Sequence, residues 1–214
     1  MRIDVLCTNP SHPVVPVLRR WMAMRDGVHD VRLIHDKSEL SYGDILYLVS
    51  CSRLIDREAR ARYAHVLVLH ASNLPEGRGW SPHVWDILAG KEDFTVSLLT
   101  AEDSVDTGAI WSKRHFAVPR HALHDEIDDL LFQAELDLMD RGIEMVAAGV
   151  APVPQPAEGG SFHPRRIPED SRLDPTRSLA DLFDQIRVAD PDRFPAFFEM
   201  HGHTYVVTLK KRES

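Results

Sequence analysis

An α/β fold is what this 214-residue sequence predicts, with a central, mostly parallel sheet under helices and an arm at the C-terminal end. Up to about residue 149, short apolar runs alternate with amphipathic stretches, the pattern of a sheet covered by helices. Three of those runs, residues 31–35, 44–49 and 65–70, are apolar without alternation, which is how parallel strands buried on both faces read. From Val150 onward, proline and charge replace that pattern.

In chain order, IDVLC (residues 3–7) forms a first strand that ends in the turn signal TNPSHP, and Pro13 opens a helix over PVVPVLRRWMAM. VRLIH, DILYLV and HVLVLH follow as strands expected at the centre of the sheet. SPHVWDILAG reads as a short helix, with Ser81 as N-cap ahead of Pro82 and Gly90 as its stop. Residues 94–100 and 108–116 are strands on either side of an acidic loop. The long stretch after them carries Ile127, Leu130, Leu131, Ala134 and Leu138 at helical spacing. VAPVPQPAEGGSFHPRRIPEDSRLDP is too irregular for core elements and reads as an ordered arm or lid. Behind it, SLADLFDQIRV is a helix capped by Ser178, and residues 204–209 are a last strand. Residues 1–149 are therefore expected to form the catalytic domain, and residues 150–214 an arm, helix and strand packed on it.

With 43% hydrophobic residues the chain can bury one good core. Its 25 Lys and Arg against 33 Asp and Glu leave a net charge of -8, which disfavours a broad hold on a polyanion, so no nucleic-acid partner is expected. Cys7 and Cys51 are the two cysteines, both in apolar runs; they suggest no disulfide framework and fit a reducing compartment. No run approaches a membrane span, and MRIDVLCTNP lacks the charged lead and apolar length of a signal peptide. The expectation is a cytoplasmic location with no membrane partner.

In open α/β sheets ligands bind at the carboxyl ends of the strands, and His70 ends one such run. Taken alone, a histidine there is more often a hydrogen-bonded structural residue. AEDSVDTGAIW adds Glu102, Asp103 and Asp106, the last in an Asp-Thr-Gly turn. Such a run is either a solvated acidic loop or the source of a carboxylate beside the imidazole, which would stabilise the charged ring as a general base needs near neutral pH. His201 and His203 lack a third ligand nearby, so no metal is expected.

HASNLPEGRGWSPHVWDILAG followed by FTVSLLTAEDSVDTGAI resembles the signature of the folate-dependent N-formyltransferases, which include methionyl-tRNA, glycinamide ribonucleotide and sugar-nucleotide N-formyltransferases. The pattern is His-x-Ser-x-Leu-Pro, then Arg-Gly, then Asp-x-Gly. Here His70, Ser72, Leu74, Pro75, Arg78, Gly79, Asp106 and Gly108 carry it, over roughly residues 44–120, with a fainter likeness in RRIPEDSRLD and FPAFF. The resemblance implies a Rossmann-like formyltransferase fold, N10-formyltetrahydrofolate as formyl donor, His70 as base and proton shuttle, and Asp106 as the carboxylate that orients it. It also implies walls around the pterin, acting largely through backbone: one from Ser50, Cys51, Arg53, Leu54 and Ile55, the other from Glu102, Asp103 and Val105.

One position departs from the family. Two residues before the histidine the family has asparagine, whose amide is taken to hold the formyl oxygen as it becomes negative, and this chain has Val68. One such donor is worth about 3 kcal/mol. Asn73 is the candidate to supply an amide from the other side; shaping the turn before Leu74 and Pro75 is its alternative role.

The acceptor is the harder question. Methionyl-tRNA enzymes carry a further domain of ~100 residues that grips tRNA, for which no room is expected here. Glycinamide ribonucleotide enzymes have a glycine-rich phosphate turn after the first strand, where this chain has CTNPSHP. The stretch around Trp80 and the arm are similar to enzymes that formylate a 4-amino-4,6-dideoxy sugar on a UDP or dTDP carrier, in pathways of the pseudaminic acid type for surface glycans. On that reading Arg78, Trp80, Arg165 and Arg166 bind the nucleotide sugar, the paired arginines meeting its diphosphate; plain surface exposure is the alternative for that pair. Other readings stay open: a formyltransferase for another small amine, and a noncatalytic folate-fold binding protein, which Val68 supports. A homodimer is the assembly considered.

Overall fold

A computed structural model describes residues 1–156 and 159–212. Strand β1 (Arg2–Leu6) feeds helix α1 (Val14–Ala23), which turns Val14, Val15, Leu18 and Trp21 inward. Strands β2 (Asp30–Ile34) and β3 (Gly43–Leu48) lie parallel to β1 on its two sides. The short helix α2 (Arg57–Arg60) leads into β4 (Tyr63–His70), parallel to β3. A two-residue strand β5 (Arg78–Gly79) and helix α3 (Pro82–Leu88) precede β6 (Asp93–Thr100) and β7 (Ile110–Ala117). Helix α4 (His124–Ala147), strand β8 (Phe162–His163), helix α5 (Leu179–Arg187) and the strands β9 (Ala196–Met200) and β10 (His203–Val207) complete the chain.

The six-stranded sheet has the order β2-β1-β3-β4-β6-β7. Its first four strands are parallel, and the direction reverses between β4 and β6, where His70 stands opposite Ser97. Ile3, Val5, Ile45, Tyr47, Leu67 and Leu69 pack with the inward residues of α1 and α4 on one face; Leu46, Leu48 and Val66 join Ile55, Ala59 and Tyr63 on the other. Because side chains alternate along a strand, Val66, Val68 and His70 share that second face.

Two expectations need correction. The run at 31–35 is not central: β2 is an edge strand in which only Ile34 is fully buried, with Val31 and Leu33 packed on one face while Arg32 bonds Asp4 at 2.9 and 2.8 Å. Ser81 does precede α3 but does not cap it with its hydroxyl; it sits in the left-handed region at φ 47° and its side chain accepts no helix N–H. Near the C-terminal end, β9 forms an antiparallel hairpin with β10. His201 and Gly202 turn that hairpin with φ of 53° and 78°, the left-handed pair that tight hairpins require. His201 and His203 are thus turn and strand residues, and no group of three metal-ligating side chains occurs among the described residues. Among the same residues no helix is long and apolar enough to cross a membrane. Both cysteines are free.

The arm is tied to the sheet by pairing. β8 lies parallel to β5, Arg78 facing Phe162 and Gly79 facing His163, and Val153 forms a reciprocal bridge with Ile110 at 2.8 Å in both directions.

Candidate active site

Where β4 ends, the chain folds back over its own last residue. The N–H of Ser72 donates to the His70 carbonyl at 2.8 Å, and the turn that follows brings the Gly77 carbonyl to within 2.8 Å of His70 Nε2. Two residues on, the N–H of Gly79 donates to Asp106 Oδ2 at 2.9 Å. That same carboxylate oxygen lies 3.5 Å from His70 Nδ1, with the two side chains only 8% and 9% exposed. Each ring nitrogen of His70 therefore faces an oxygen. A carbonyl can only accept, so Nε2 holds its proton against Gly77, and Nδ1 is left facing the Asp106 carboxylate.

Backbone shape makes this approach possible. Asp106 has φ 55°, a region that aspartate tolerates better than most residues. Gly79 has φ 100°, and a Cβ there would lie 2.2 Å from the His163 carbonyl; one at Gly108 would lie 1.8 Å from that of Thr100. The Arg-Gly and Asp-x-Gly parts of the motif are thus glycines because two backbone segments pass in contact.

The two expected pterin walls are clamped to each other. Arg60 donates to the Ile55 carbonyl at 2.6 Å and to that of Glu102 at 3.4 Å, and pairs with the Asp103 carboxylate. Ser52 bonds Thr8 through both its hydroxyl and its N–H. Ser50 sits at φ 49°, Leu54 and Arg53 are exposed, and Ile55 is buried beside half-buried Cys51, Val68 and Ala101. Burial pushes the Cys51 thiol up to about 11, which leaves it unreactive near neutral pH. Among the described residues, the backbones of Leu54, Asp103 and Val105 have no partner within the chain. Exposed Leu54 and unpaired backbone on two fixed walls suit a flat heteroaromatic ring.

The other sequence-predicted residues are scattered. Asn73 stands apart from the pair: it is exposed, its Oδ1 accepts from Lys113 Nζ at 2.6 Å, and it lines a surface cleft of about 620 Å³ with Asp86, Lys91, Thr95 and His115. Arg78 donates to Gln155 at 3.0 Å, and Trp80 meets Phe162 edge to face. Arg165 is exposed, whereas half-buried Arg166 bonds the Asp170 carbonyl at 3.1 Å and lies over the Trp85 ring.

Sequence reasoning passed over four titratable groups, one buried and three half-buried. His83 on α3 has its Nδ1 sealed from solvent without a partner; burial, and next the nearby His70, push it down to about 4, so it is neutral. His12, before α1, is pushed down to about 4 by burial and then by Arg193. On α4, burial pushes Glu135 up to about 8 and Asp128 up to about 6. Glu135 occupies the apolar stripe itself, four residues after Leu131 and three before Leu138, and that spacing is the signal that could have found it.

The family model described as formyl transferase matches residues 9–142. The chain belongs to the formyl transferase family. Its sequence relatives include methionyl-tRNA formyltransferases. The one from Symbiobacterium thermophilum is 29% identical over 150 residues, 69% of this chain and 46% of that protein. This chain spans about half the length of the curated relatives it matches. In fold it superposes on the methionyl-tRNA formyltransferase of Clostridium thermocellum with a TM-score of 0.84 at 22% identity, over 100% of this chain and 94% of that one. It also superposes on a sugar N-formyltransferase from Shewanella with a TM-score of 0.73 at 18% identity, over 100% and 99% of the two chains.

Proposed function

We propose that this chain transfers a formyl group from N10-formyltetrahydrofolate to the amine of a small acceptor, a 4-amino-4,6-dideoxy sugar on a nucleotide carrier. The observation that carries the reading is the near-buried His70–Asp106 pair at the carboxyl end of a central strand, beside two walls fixed to each other by Arg60. The folate, when bound between those walls, supplies the activated formyl group. His70 takes the proton that the attacking amine must lose and returns one to the departing nitrogen. Asp106 keeps the ring in place through that exchange and balances its charge. With valine at position 68 and Asn73 bonded to Lys113, the charged His70 ring is the group that meets the negative charge gathering on the formyl oxygen.

A small acceptor is favoured by the net charge of -8, which offers no field for a polyanionic substrate. A solved sugar N-formyltransferase shares the fold over nearly the whole of both chains, as does a methionyl-tRNA formyltransferase, so the choice between the two acceptors rests on the charge. The test incubates the protein and N10-formyltetrahydrofolate with a panel of nucleotide-linked 4-amino sugars and, separately, methionyl-tRNA, and follows mass. Gain of one formyl group by a sugar nucleotide is expected. Formylation of methionyl-tRNA alone overturns the choice of acceptor, and no transfer to any amine, with folate still bound, overturns catalysis.

A further inference from the structure

Among the arm's contacts with the site, one side chain bonds both of the segments that hold His70. Gln155 lies between Pro154 and Pro156, two rings that hold the backbone extended, two residues after the Val153–Ile110 bridge that pins this stretch to β7. Its half-buried carboxamide makes three hydrogen bonds. Nε2 donates to the carbonyl of Asp106 at 2.9 Å and to that of Gly108 at 2.8 Å, and Oε1 accepts from Arg78 Nη2 at 3.0 Å. Both hydrogens of the amide are thus spent on the Asp-Thr-Gly turn, and the oxygen on the loop that carries Gly77 and Gly79.

Those are the two segments that hold His70. Gly77 supplies the carbonyl on Nε2, and Asp106 supplies the carboxylate opposite Nδ1. Asp106 is also the one residue of its turn at positive φ, a conformation that costs on the order of 1 kcal/mol or more and persists only where surrounding contacts fix it. A carboxamide that grips the carbonyls on both sides of Thr107 fixes the direction in which the Asp106 side chain leaves the turn.

We propose that Gln155 is a positioning residue for the reaction: it holds the Asp106 carboxylate against His70 and makes the C-terminal arm part of the catalytic machinery. The proposal rests on the formyl-transfer reading for its kinetic consequence, but its structural consequence is measurable without turnover.

Two variants separate polarity from bulk. Gln155→Glu keeps the shape but turns an acceptor toward two carbonyls; Gln155→Leu keeps most of the volume and removes every hydrogen bond. The first measurement is the ring nitrogen signals of His70 in nitrogen-15 spectra, assigned by their loss in His70→Asn. Both variants are expected to move the Nδ1 signal while circular dichroism stays that of the wild type, and Asp106→Asn is expected to move it too. Adding Gln155→Leu to Asp106→Asn should shift it no further, since both act on one contact. The second measurement is kinetic: kcat should fall by about 10- to 100-fold with the folate KM changed less than about twofold. An unmoved His70 signal in folded Gln155→Leu and Gln155→Glu overturns the proposal, as does full additivity with Asp106→Asn. If the wild type transfers no formyl group to any acceptor, the spectra still decide the positioning role, and only the function proposed above is lost.

Discussion

Lys113 donates from Nζ to Asn73 Oδ1 at 2.6 Å and to the Leu74 carbonyl at the same distance, so the side chain of Asn73 is anchored on the outer strand β7. Removing that amide should leave the reacting groups untouched. Asn73→Ala is expected to change kcat by less than about threefold, against the roughly 100-fold loss of a true oxyanion donor. Steady-state kinetics on the formylated acceptor checks it, and a loss of that larger size would restore Asn73 to the site.

His70→Ala should lower turnover by ~100-fold or more, the usual scale for losing a positioned general base. The folate should still bind, since the walls stand on Arg60, Thr8 and Ser52 and not on the imidazole. Fluorescence titration with a folate analogue beside the kinetics separates the two, and near-normal turnover would remove His70 from the mechanism.

Val68 sits half-buried on the same sheet face as His70, against the cluster that contains Ile55. Val68→Asn should cost roughly 1–3 kcal/mol of stability by placing an amide among apolar neighbours. It should also raise kcat, by about 10-fold or more, if the new amide reaches the formyl oxygen. Denaturant unfolding and initial rates on one preparation give both numbers; a stability loss with an unchanged rate would mean that this position no longer faces the reacting carbonyl.

The same four titratable groups predict how stability follows pH. Glu135, raised from 4.5 to about 8, and Asp128, raised from 3.8 to about 6, keep protons in the folded chain that the unfolded chain has lost. Their contribution is complete below the unfolded values and is lost as pH rises through the folded ones. His12 and His83, lowered from 6.5 to about 4, act in the opposite sense: their contribution is present above 6.5 and lost as pH falls through 4. Between pH 6.5 and 8 only Glu135 of these four is changing, so the free energy of unfolding should peak near pH 6.5 and fall toward 8 by at most about 1.4 kcal/mol per unit, with the melting temperature following it. Glu135→Gln should flatten that alkaline limb and leave the acid limb; an alkaline fall of equal slope in the variant would locate it elsewhere.

Much of the sheet was legible because β3 and β4 are apolar on both faces, and two spaced motifs led to His70 and Asp106. Three features were not. β2 reads like a central strand because one covered face is enough to demand Val31 and Leu33. The pairing of β5 with β8 involves two residues on each side, too few for any periodicity to register. Gln155 was hidden in a proline-rich stretch whose composition announces irregular structure and says nothing of what one carboxamide touches across 47 residues of chain.

The parallel pairing of Arg78 with Phe162 and of Gly79 with His163 also bears on how the protein is made. A ribosome delivers β1 through β7 and α4 well before it delivers β8, so the sheet can condense while the loop over His70 still lacks the strand it lies against. Closure of that contact joins segments 84 residues apart, the separation also spanned by the bond from Gly77 N–H to Ser161 Oγ, and contacts of such range form late and slowly. A nascent chain would then hold a folded sheet for some interval, and the loop over His70 would gain its neighbouring strand only when residues 162 and 163 have left the exit tunnel.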